Sequence, residues 1–249
     1  MKIEVRFTPA MIESNSDVRE RTAVVIDTLR ATSTIVAALM AGAREVIPVA
    51  TAADAAAVAH RLGTERTLLC GERASLRIEG FDLGNSPAEY TSEVVGGKTL
   101  VLTTTNGTQA LLKAQHARRV LCGALLNARA VAEEIVAGGE DDVVLICAGT
   151  YGRFSFEDTL AAGAIVEAVA EFATSSVALD DGARASVVLF DRERHDLRSA
   201  LARGDHGAAL AELGFAHDLD FCARLDIESA PVPALIGSTI RLAEVRESR

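Results

Sequence analysis

The chain has 249 residues, of which 49% are hydrophobic, so it can bury the core of one large domain or of two modest ones. Its formal net charge of −10 argues against a nucleic-acid partner, because binding a phosphate backbone needs clustered Lys and Arg side chains. No run of about 18 apolar residues lacks a polar interruption, which argues against a transmembrane helix and a membrane partner. The N-terminal stretch MKIEVRFTPA has no apolar signal-peptide region, so we expect a cytoplasmic location.

Apolar, β-branched runs alternate with segments of helical periodicity through most of the chain. This alternation predicts an α/β fold with a mostly parallel sheet and helices on both of its faces, a three-layer α/β/α arrangement. In such sheets ligands bind at the carboxyl ends of the strands, so we expect the active site there. Strands are predicted at residues 2–8, 22–27, 45–49, 66–70, 98–103, 120–122 and 142–147, and helices at 31–41, from 51 onward, 107–114, 128–137 and 157–172.

The alternating pattern is weaker in the last third of the chain. Residues 187–190 suit either a strand or a helix, and residues 197–213 suit a helix that is broken near Gly204. Residues 232–243 suit a closing hairpin that turns at Gly237 and Ser238. We expect one α/β domain over residues 1–249, with two α/β subdomains that meet near residue 150 as the alternative.

The stretch GERASLRIEGFDLGNSP, residues 71–87, follows a predicted strand and is long for a connection. Connections in compact domains usually have about 4–6 residues, and much longer ones tend to be functional or disordered. The apolar side chains and glycines of this loop argue that it is ordered. We interpret it as an active-site loop, with a surface loop held by local hydrogen bonds as the alternative. Its candidate functional residues are Glu72, Arg73, Arg77, Asp82 and Asn85.

A second candidate segment, DTLRAT, begins at Asp27, where a predicted strand ends and a helix begins. The Asp27 carboxylate can hold a hard cation such as Mg²⁺, and Arg30 can bind a phosphate or a carboxylate through two hydrogen bonds. The alternative is that Asp27 or Thr28 only caps the helix.

A third candidate segment, TTTNGT, lies between another predicted strand and helix. Free backbone N–H groups at a helix N-terminus attract anions, and a glycine lets an oxyanion approach closely. A helix cap alone would need only one of these residues. We therefore interpret Thr105, Asn106, Gly107 and Thr108 as a site for phosphate or carboxylate, with a plain helix cap as the alternative.

The spacing from Cys147 to Arg153 matches C-x5-R, the pattern in which cysteine-dependent phosphatases hold phosphate while a thiolate attacks. The match is weak, because those enzymes usually have His before the Cys and Ser or Thr after the Arg, where this chain has Ile146 and Phe154. Cys147 also ends an apolar strand, so we expect a buried thiol with a raised pKa and no nucleophilic role. Covalent catalysis is the alternative. Gly149, Thr150 and Arg153 remain candidates for binding an anion.

The SFED segment that follows has two interpretations. Ser155 and Asp158 form a capping-box pattern at the start of a predicted helix. In the functional interpretation, Glu157 and Asp158 add carboxylates to a metal site.

Taken together, these segments resemble the 2-phosphosulfolactate phosphatases. The similar stretches are IDTLRATSTIVAAL, GER with GFDLGNSP, LTTTNGTQAL, CAGTYGRFSFEDTLAAGAIV and DLDFCARLDI, which cover nearly the whole chain. The resemblance implies an α/β fold and a Mg²⁺-dependent hydrolysis of 2-phospho-3-sulfolactate to sulfolactate and phosphate, a step toward coenzyme M.

The residues then divide into three predicted roles. Asp27, Glu72 and Asp82 are expected to be catalytic, and Asp27, Asp82, Glu157 and Asp158 are the candidate Mg²⁺ ligands. We expect water activated by the metal, rather than Cys147, to attack phosphorus. The candidate phosphate- and substrate-binding residues are Arg30, Arg73, Asn85, Thr105, Asn106, Gly107, Thr108, Gly149, Thr150 and Arg153.

The expected partner is a small anionic phosphorylated substrate, and a second copy of the chain is the other candidate, in a homodimer. Two alternative functions stay open. One is hydrolysis of another small acidic phosphomonoester, and the other is non-catalytic binding of phosphate or another anion on the same scaffold. The acids Asp27, Glu72 and Asp82 favour an enzyme, because anion binding alone would not need them.

Overall fold

A mixed β-sheet forms the centre of the molecule in a computed structural model that describes residues 1–139 and 142–243. Within those residues it has eleven strands, in the order β5-β4-β6-β3-β11-β10-β7-β2-β8-β1-β9. The strands are β1 (Lys2–Arg6), β2 (Thr22–Ile26), β3 (Glu45–Pro48), β4 (Thr67–Arg73), β5 (Leu76–Arg77), β6 (Thr99–Thr103), β7 (Arg119–Gly123), β8 (Asp142–Cys147), β9 (Ala178–Leu179), β10 (Pro233–Ile236) and β11 (Thr239–Leu242).

Helices cover both faces of this sheet, as predicted. The alternating side chains of the central strands enter two separate cores. Val24 and Ile26 of β2 face one core, and Ala23 and Val25 face the other. The helices are α1 (Ala31–Met40), α2 (Ala52–Leu62), α3 (Ser92–Val95), α4 (Gly107–Ala114), α5 (Ala128–Ala137), α6 (Phe156–Phe172), α7 (Asp181–Glu193), α8 (Leu197–Arg203), α9 (Asp205–Glu212) and α10 (Ala216–Cys222).

The two cores belong to different sets of helices. Val131 of α5, Ile165 of α6 and Phe190 of α7 pack in the first core. Ile35 of α1 and Leu111 of α4 pack in the second. The prediction of a three-layer α/β/α fold with a mostly parallel sheet is therefore confirmed.

The sheet consists of two parallel blocks joined by an antiparallel hairpin. The blocks are β4-β6-β3 and β7-β2-β8-β1-β9, and the hairpin β10–β11 lies between them. Ala234 and Leu235 pair with β7, and Ile240 pairs with Val46 of β3. These pairs lie in the amino-terminal part of β3 and the first half of β7. The carboxyl ends of the two blocks can therefore approach each other beyond the hairpin.

Most predicted elements are confirmed within a residue or two. The predicted closing hairpin is β10–β11, and the predicted helix of residues 197–213 breaks at Gly204 into α8 and α9. Residues 187–190 lie in helix α7, so the strand alternative is wrong there. The strand predicted at 66–70 continues to Arg73 and then turns back into β5, so part of the loop of residues 71–87 is a short hairpin. One domain, with an alternative boundary near residue 150, stays a prediction.

No helix within residues 1–139 and 142–243 combines the length and the apolar character that spanning a membrane requires.

Candidate active site

A narrow cleft lies at the carboxyl ends of the strands, where the two parallel blocks meet. It measures about 290 Å³ including its open mouth. Asp27 follows β2, Glu72 lies near the end of β4, and Thr105 follows β6, so three separate strands contribute to it. The lining residues are Asp27, Leu29, Arg30, Glu72, Ser75, Asn85, Thr105, Asn106, Tyr151 and His206.

The two oxygens of Asp27 have different surroundings. Oδ1 accepts a hydrogen bond from the Ala31 amide at 3.1 Å, so Asp27 does bond to the first turn of α1. Oδ2 lies beside Gly107 at the start of α4, where a Cβ atom would come within 2.5 Å of it. Gly107 therefore allows the block that contains β6 to approach Asp27. The capping interpretation accounts for one carboxylate oxygen and leaves the other beside the cleft.

Asp27 belongs to a group of buried acids at this end of the sheet. Burial, and then the charges of Glu72 and Glu157, raise the pKa of Asp27 to about 7, although Arg30 lowers it. Burial also raises the pKa of Asp158, with Asp27 and Glu157 adding to it, and the pKa of Glu157 is raised by burial and by Asp205. An excess of buried negative charge is typical of a site that receives a cation.

Glu72 occupies part of the predicted phosphate loop. Its Oε1 accepts from the Thr105 amide at 2.6 Å, and its Oε2 accepts from the Ser75 amide at 2.8 Å and from the Thr105 hydroxyl at 3.2 Å. The Thr108 amide donates to the Thr104 hydroxyl at 3.0 Å. Two of the four amides that we predicted to hold phosphate therefore already have protein acceptors. The side chain of Asn106 accepts from the Tyr151 amide at 3.0 Å.

Arg30 lines the cleft with a guanidinium that is held in place. It is 2% exposed. Nη1 donates to Asp218 Oδ2 at 2.8 Å, and Nη2 donates to the Ser75 carbonyl at 2.7 Å. The guanidinium also lies over the ring of Phe215, at 4.4 Å from the ring centroid. Since arginine has five N–H donors, these contacts leave donors for an oxyanion.

Asn85 is the strongest single indication of a ligand. It lines the cleft, is 5% exposed, and its Oδ1 has no hydrogen-bond partner among the described residues. Buried polar atoms in native proteins nearly always have a hydrogen-bond partner, because leaving such an atom without one costs about 1–3 kcal/mol. The Oδ1 atom therefore indicates a group that comes from outside the chain.

Asp82 and Arg73 do not line the cleft. Asp82 is exposed, and its Oδ2 accepts from the Leu69 amide at 2.8 Å, so it fastens the loop of residues 71–87 to the edge of β4. Arg73 donates to the Glu72 carbonyl at 2.7 Å and to the Thr103 hydroxyl at 3.0 Å. The predicted meeting of Asp82 with Asp27 at one metal ion finds no support in these contacts.

Asp158 is buried and joins the turns that follow β2 and β8. Its Oδ1 accepts from the Thr28 amide at 2.8 Å, and its Oδ2 accepts from the Gly149 amide at 3.0 Å. Its own amide donates to the Ser155 hydroxyl at 3.2 Å, so the capping interpretation of Ser155 is confirmed. Asp158 does not line the narrow cleft, and its two oxygens hold the two turns together.

A second, larger cleft, of about 1680 Å³ including its open mouth, adjoins the first and shares Tyr151 and His206 with it. The predicted residues Thr150, Arg153 and Glu157 line this cleft rather than the narrow one. Arg153 is exposed and forms no ion pair with another described residue. Substrate groups that extend from the narrow cleft would reach these residues.

Cys147 is fully buried, and its pKa is raised well above the ordinary value by burial and then by Asp158. This confirms the prediction of a buried thiol with a raised pKa. Because the thiolate is the nucleophilic form, the environment of Cys147 opposes covalent attack.

Sequence reasoning missed two functional candidates in the last third of the chain. His206 lines both clefts, and its pKa is lowered by burial and then by Arg30. Asp218 is fully buried and pairs with Arg30. His206 is a lone His in an Ala-rich helix and gives no signal by itself. Asp218 lies in the DLDFC stretch, where nothing in the sequence distinguishes this buried acid from the exposed Asp220 two residues later.

The candidate metal ligands in the narrow cleft are oxygen atoms. No three His, Cys, Asp or Glu side chains come together as a metal-binding group in the described part of the chain. Asp27, Glu72 and the Oδ1 atom of Asn85 nevertheless line the same cleft. Two carboxylates and an amide oxygen are ligands that suit Mg²⁺.

Comparison with known proteins agrees with the resemblance. A family model described as 2-phosphosulpholactate phosphatase matches residues 6–235. Among similar proteins, a "Probable 2-phosphosulfolactate phosphatase" of Caldanaerobacter subterraneus subsp. tengcongensis is 44% identical, over 93% of this chain and 94% of its own. Proteins of the same description from Thermotoga maritima and Clostridium acetobutylicum are 44% and 41% identical, over 92% and 91% of this chain and 95% and 94% of their own.

Proposed function

Because the chain belongs to the 2-phosphosulfolactate phosphatase family, we propose that it hydrolyses 2-phospho-3-sulfolactate to 3-sulfolactate and phosphate with Mg²⁺ as cofactor. The observation that carries the proposal is the narrow cleft, where the buried carboxylates of Asp27 and Glu72 lie with the buried guanidinium of Arg30. Phosphate-ester hydrolysis needs such a combination, since negative charge must be neutralised where the phosphoryl group binds.

The residues of the cleft fit Mg²⁺. Asn85 Oδ1 has no hydrogen-bond partner in the part of the chain that the structure describes, and Asp27 has a carboxylate oxygen beside the cleft. Mg²⁺ is usually bound through one or two carboxylates and substrate phosphate, with water completing its shell, so a cage of three acids is not required. We assign Asp27, Asn85 and Glu72 as the residues that would hold it. When bound, Mg²⁺ neutralises phosphoryl oxygens and lowers the pKa of water.

The chain itself supplies the remaining functions. Arg30 binds phosphoryl oxygens through the donors that Asp218 and Ser75 leave free. His206 is placed to accept a proton from the attacking water, because its lowered pKa keeps the ring neutral at neutral pH and a neutral imidazole acts as a base. Arg153, which forms no ion pair among the described residues, is available for the carboxylate or sulfonate that extends into the larger cleft.

One observation favours the alternative substrate, another small acidic phosphomonoester. The larger cleft is much roomier than a three-carbon acid needs. A bulkier leaving group would fill more of it. The buried acids still favour an enzyme over a protein that only binds anions.

Release of inorganic phosphate tests the function. We expect turnover of 2-phospho-3-sulfolactate with Mg²⁺, loss of turnover with a chelator, and slower turnover of 2-phospholactate, which lacks the sulfonate. Fast hydrolysis of 2-phospholactate and bulkier acids would favour the alternative substrate. No release from any phosphomonoester in the presence of Mg²⁺ would contradict the proposal.

A cytoplasmic location and a homodimer stay predictions from the sequence. Light scattering coupled to size-exclusion chromatography tests the homodimer.

A further inference from the structure

Helix α10 contacts the guanidinium of Arg30 across a long separation in sequence. Asp218 Oδ2 accepts from Arg30 Nη1 at 2.8 Å, and Asp218 Oδ1 accepts from the Ser86 hydroxyl at 2.5 Å. We propose that Asp218 is a positioning residue, which orients Arg30 and the Asn85–Ser86 segment for binding the phosphoryl group. The inference rests on the proposed function of Arg30 as a phosphate-binding residue.

Burial makes the ion pair between Asp218 and Arg30 costly to break. Asp218 is fully buried and Arg30 is 2% exposed, so neither charge has solvent to replace the other. A buried charge that loses its partner is costly, and the two groups therefore stay together. The direction of the Nη1–Oδ2 bond fixes one edge of the planar guanidinium.

Two further contacts restrict the remaining freedom of Arg30. The Ser75 carbonyl accepts from Nη2 at 2.7 Å, and the ring of Phe215 lies under the guanidinium plane at 4.4 Å. Phe215 comes immediately before α10, so one short segment supplies both the ion pair and the ring contact. Arg30 is thereby oriented before a phosphate binds, which reduces the entropy lost on binding.

The second oxygen of Asp218 extends the effect to a candidate metal ligand. Ser86 follows Asn85 directly, and its hydroxyl donates to Asp218. His217 Nε2 also lies 3.3 Å from Asp218 Oδ1 and 3.4 Å from the Ser86 hydroxyl. The Asp218 carboxylate thus connects Arg30 with the segment that carries Asn85, and both of these residues line the narrow cleft.

Binding of inorganic phosphate measures this role without relying on turnover. We expect Asp218→Asn to weaken phosphate binding, measured by calorimetry with Mg²⁺ and as a competitive inhibition constant, by about tenfold or more. Asp220→Asn is the matched control, since Asp220 lies on the same helix, is exposed and pairs with Arg198 at 2.9 Å. It should leave phosphate binding unchanged.

A double-mutant cycle separates positioning from general stabilisation. If Asp218 acts through Arg30, Asp218→Asn should weaken phosphate binding far less in an Arg30→Met background than in the parent. Equal effects in both backgrounds, or an unchanged phosphate affinity in a folded Asp218→Asn protein, would overturn the proposal.

Two milder variants apply if Asp218→Asn does not fold. Ser86→Ala and Phe215→Leu each remove one contact of the assembly, and each should weaken phosphate binding in proteins with near-parental melting temperatures. Unchanged binding in both would also overturn the proposal. If the parent protein neither binds phosphate nor hydrolyses phosphomonoesters, the proposed function fails instead.

Discussion

Carboxylates toward the two ends of strands β1, β2 and β8 have opposite pKa shifts, because their neighbours carry opposite charges. Toward the amino ends, Glu4 is bonded to Lys2 at 2.6 Å, Arg6 at 2.5 Å and Arg21 at 2.7 Å. Burial alone would raise the pKa of Glu4, but the hydrogen bonds from Lys2 and Arg21 outweigh it and lower the pKa to about 2. At the carboxyl ends, burial and neighbouring acids raise the pKa of Asp27 to about 7.

The difference shows which end is built for stability and which for a ligand. Glu4 carries a charge that the chain itself neutralises, so its ion pairs hold strand ends together. Asp27 lies among acids with Arg30 as its opposing charge, and Arg30 is itself paired with Asp218. Natural proteins accept such local cost where it serves function.

Asp27→Asn should cause the largest loss of activity. Removing this carboxylate should lower kcat by about 10²-fold or more, because the proposed function gives Asp27 a part in holding Mg²⁺ and in placing charge beside the phosphoryl group. Asp82→Asn tests two different expectations for Asp82. The sequence interpretation made Asp82 a catalytic residue and a metal ligand, so it predicts a loss of activity. Because Asp82 is exposed and does not line the narrow cleft, we expect the Asp82→Asn variant to turn over within a few-fold of the parent. Near-parental turnover of Asp27→Asn in steady-state assays would contradict the assignment.

The pH dependence of stability should reveal Asp27 in the metal-free protein. Its pKa rises from 3.8 to about 7 on folding, so the native state binds more protons between these values. The unfolding free energy should therefore fall as pH increases from about 4 to about 7, by an amount on the order of a few kcal/mol.

Denaturant unfolding across that pH range measures the slope. Asp27→Asn should flatten it and stabilise the protein near neutral pH. An identical slope in the parent and the variant would contradict the raised pKa.

Glu4→Gln should destabilise the fold and spare activity. The change leaves Arg6 and Arg21 without their shared carboxylate, and we expect a loss of about 1.5–3 kcal/mol in unfolding free energy. Since the pKa of Glu4 is lowered, its contribution is present above about pH 4.5 and is lost as pH falls toward about 2.

Glu171→Gln is the matched control for Glu4→Gln. Glu171 pairs with Arg129 on the exposed surface, where such pairs contribute about 0–1 kcal/mol. Similar losses in the two variants would argue against a special role for the Glu4 network.

Cys147→Ser should leave the enzyme active. We expect activity within about tenfold of the parent, a barrier change of about 1.4 kcal/mol, because the proposed function does not use the buried thiol as the nucleophile. Cys122→Ser is the control for burying a hydroxyl, as Cys122 is equally buried in the other core. Complete loss of activity in a folded Cys147→Ser protein, with a trapped phosphocysteine in the parent, would contradict this mechanism.

The sequence by itself determined the layers of the fold and the neighbourhood of the site. Period-2 and helical patterns depend on local side-chain geometry, so they predicted α4 and α5 at their observed bounds. Asp27 and Thr105 could be selected because polar residues after apolar strands have to lie at the carboxyl ends of a parallel sheet, and Asn85 could be selected because it lies in an unusually long loop.

Only the tertiary structure decided which of those residues meet. The hairpin β10–β11 pairs near the amino ends of β3 and β7, and this lets distant strands converge at the other end. Strand β4 continues through Glu72, whose carboxylate accepts a hydrogen bond from the Thr105 amide. The carboxylate of Asp82 accepts one from the Leu69 amide instead. The contact of Asp218 with Arg30 joins residues 188 positions apart. Such contacts depend on chain packing over long separations, for which local sequence patterns contain no signal.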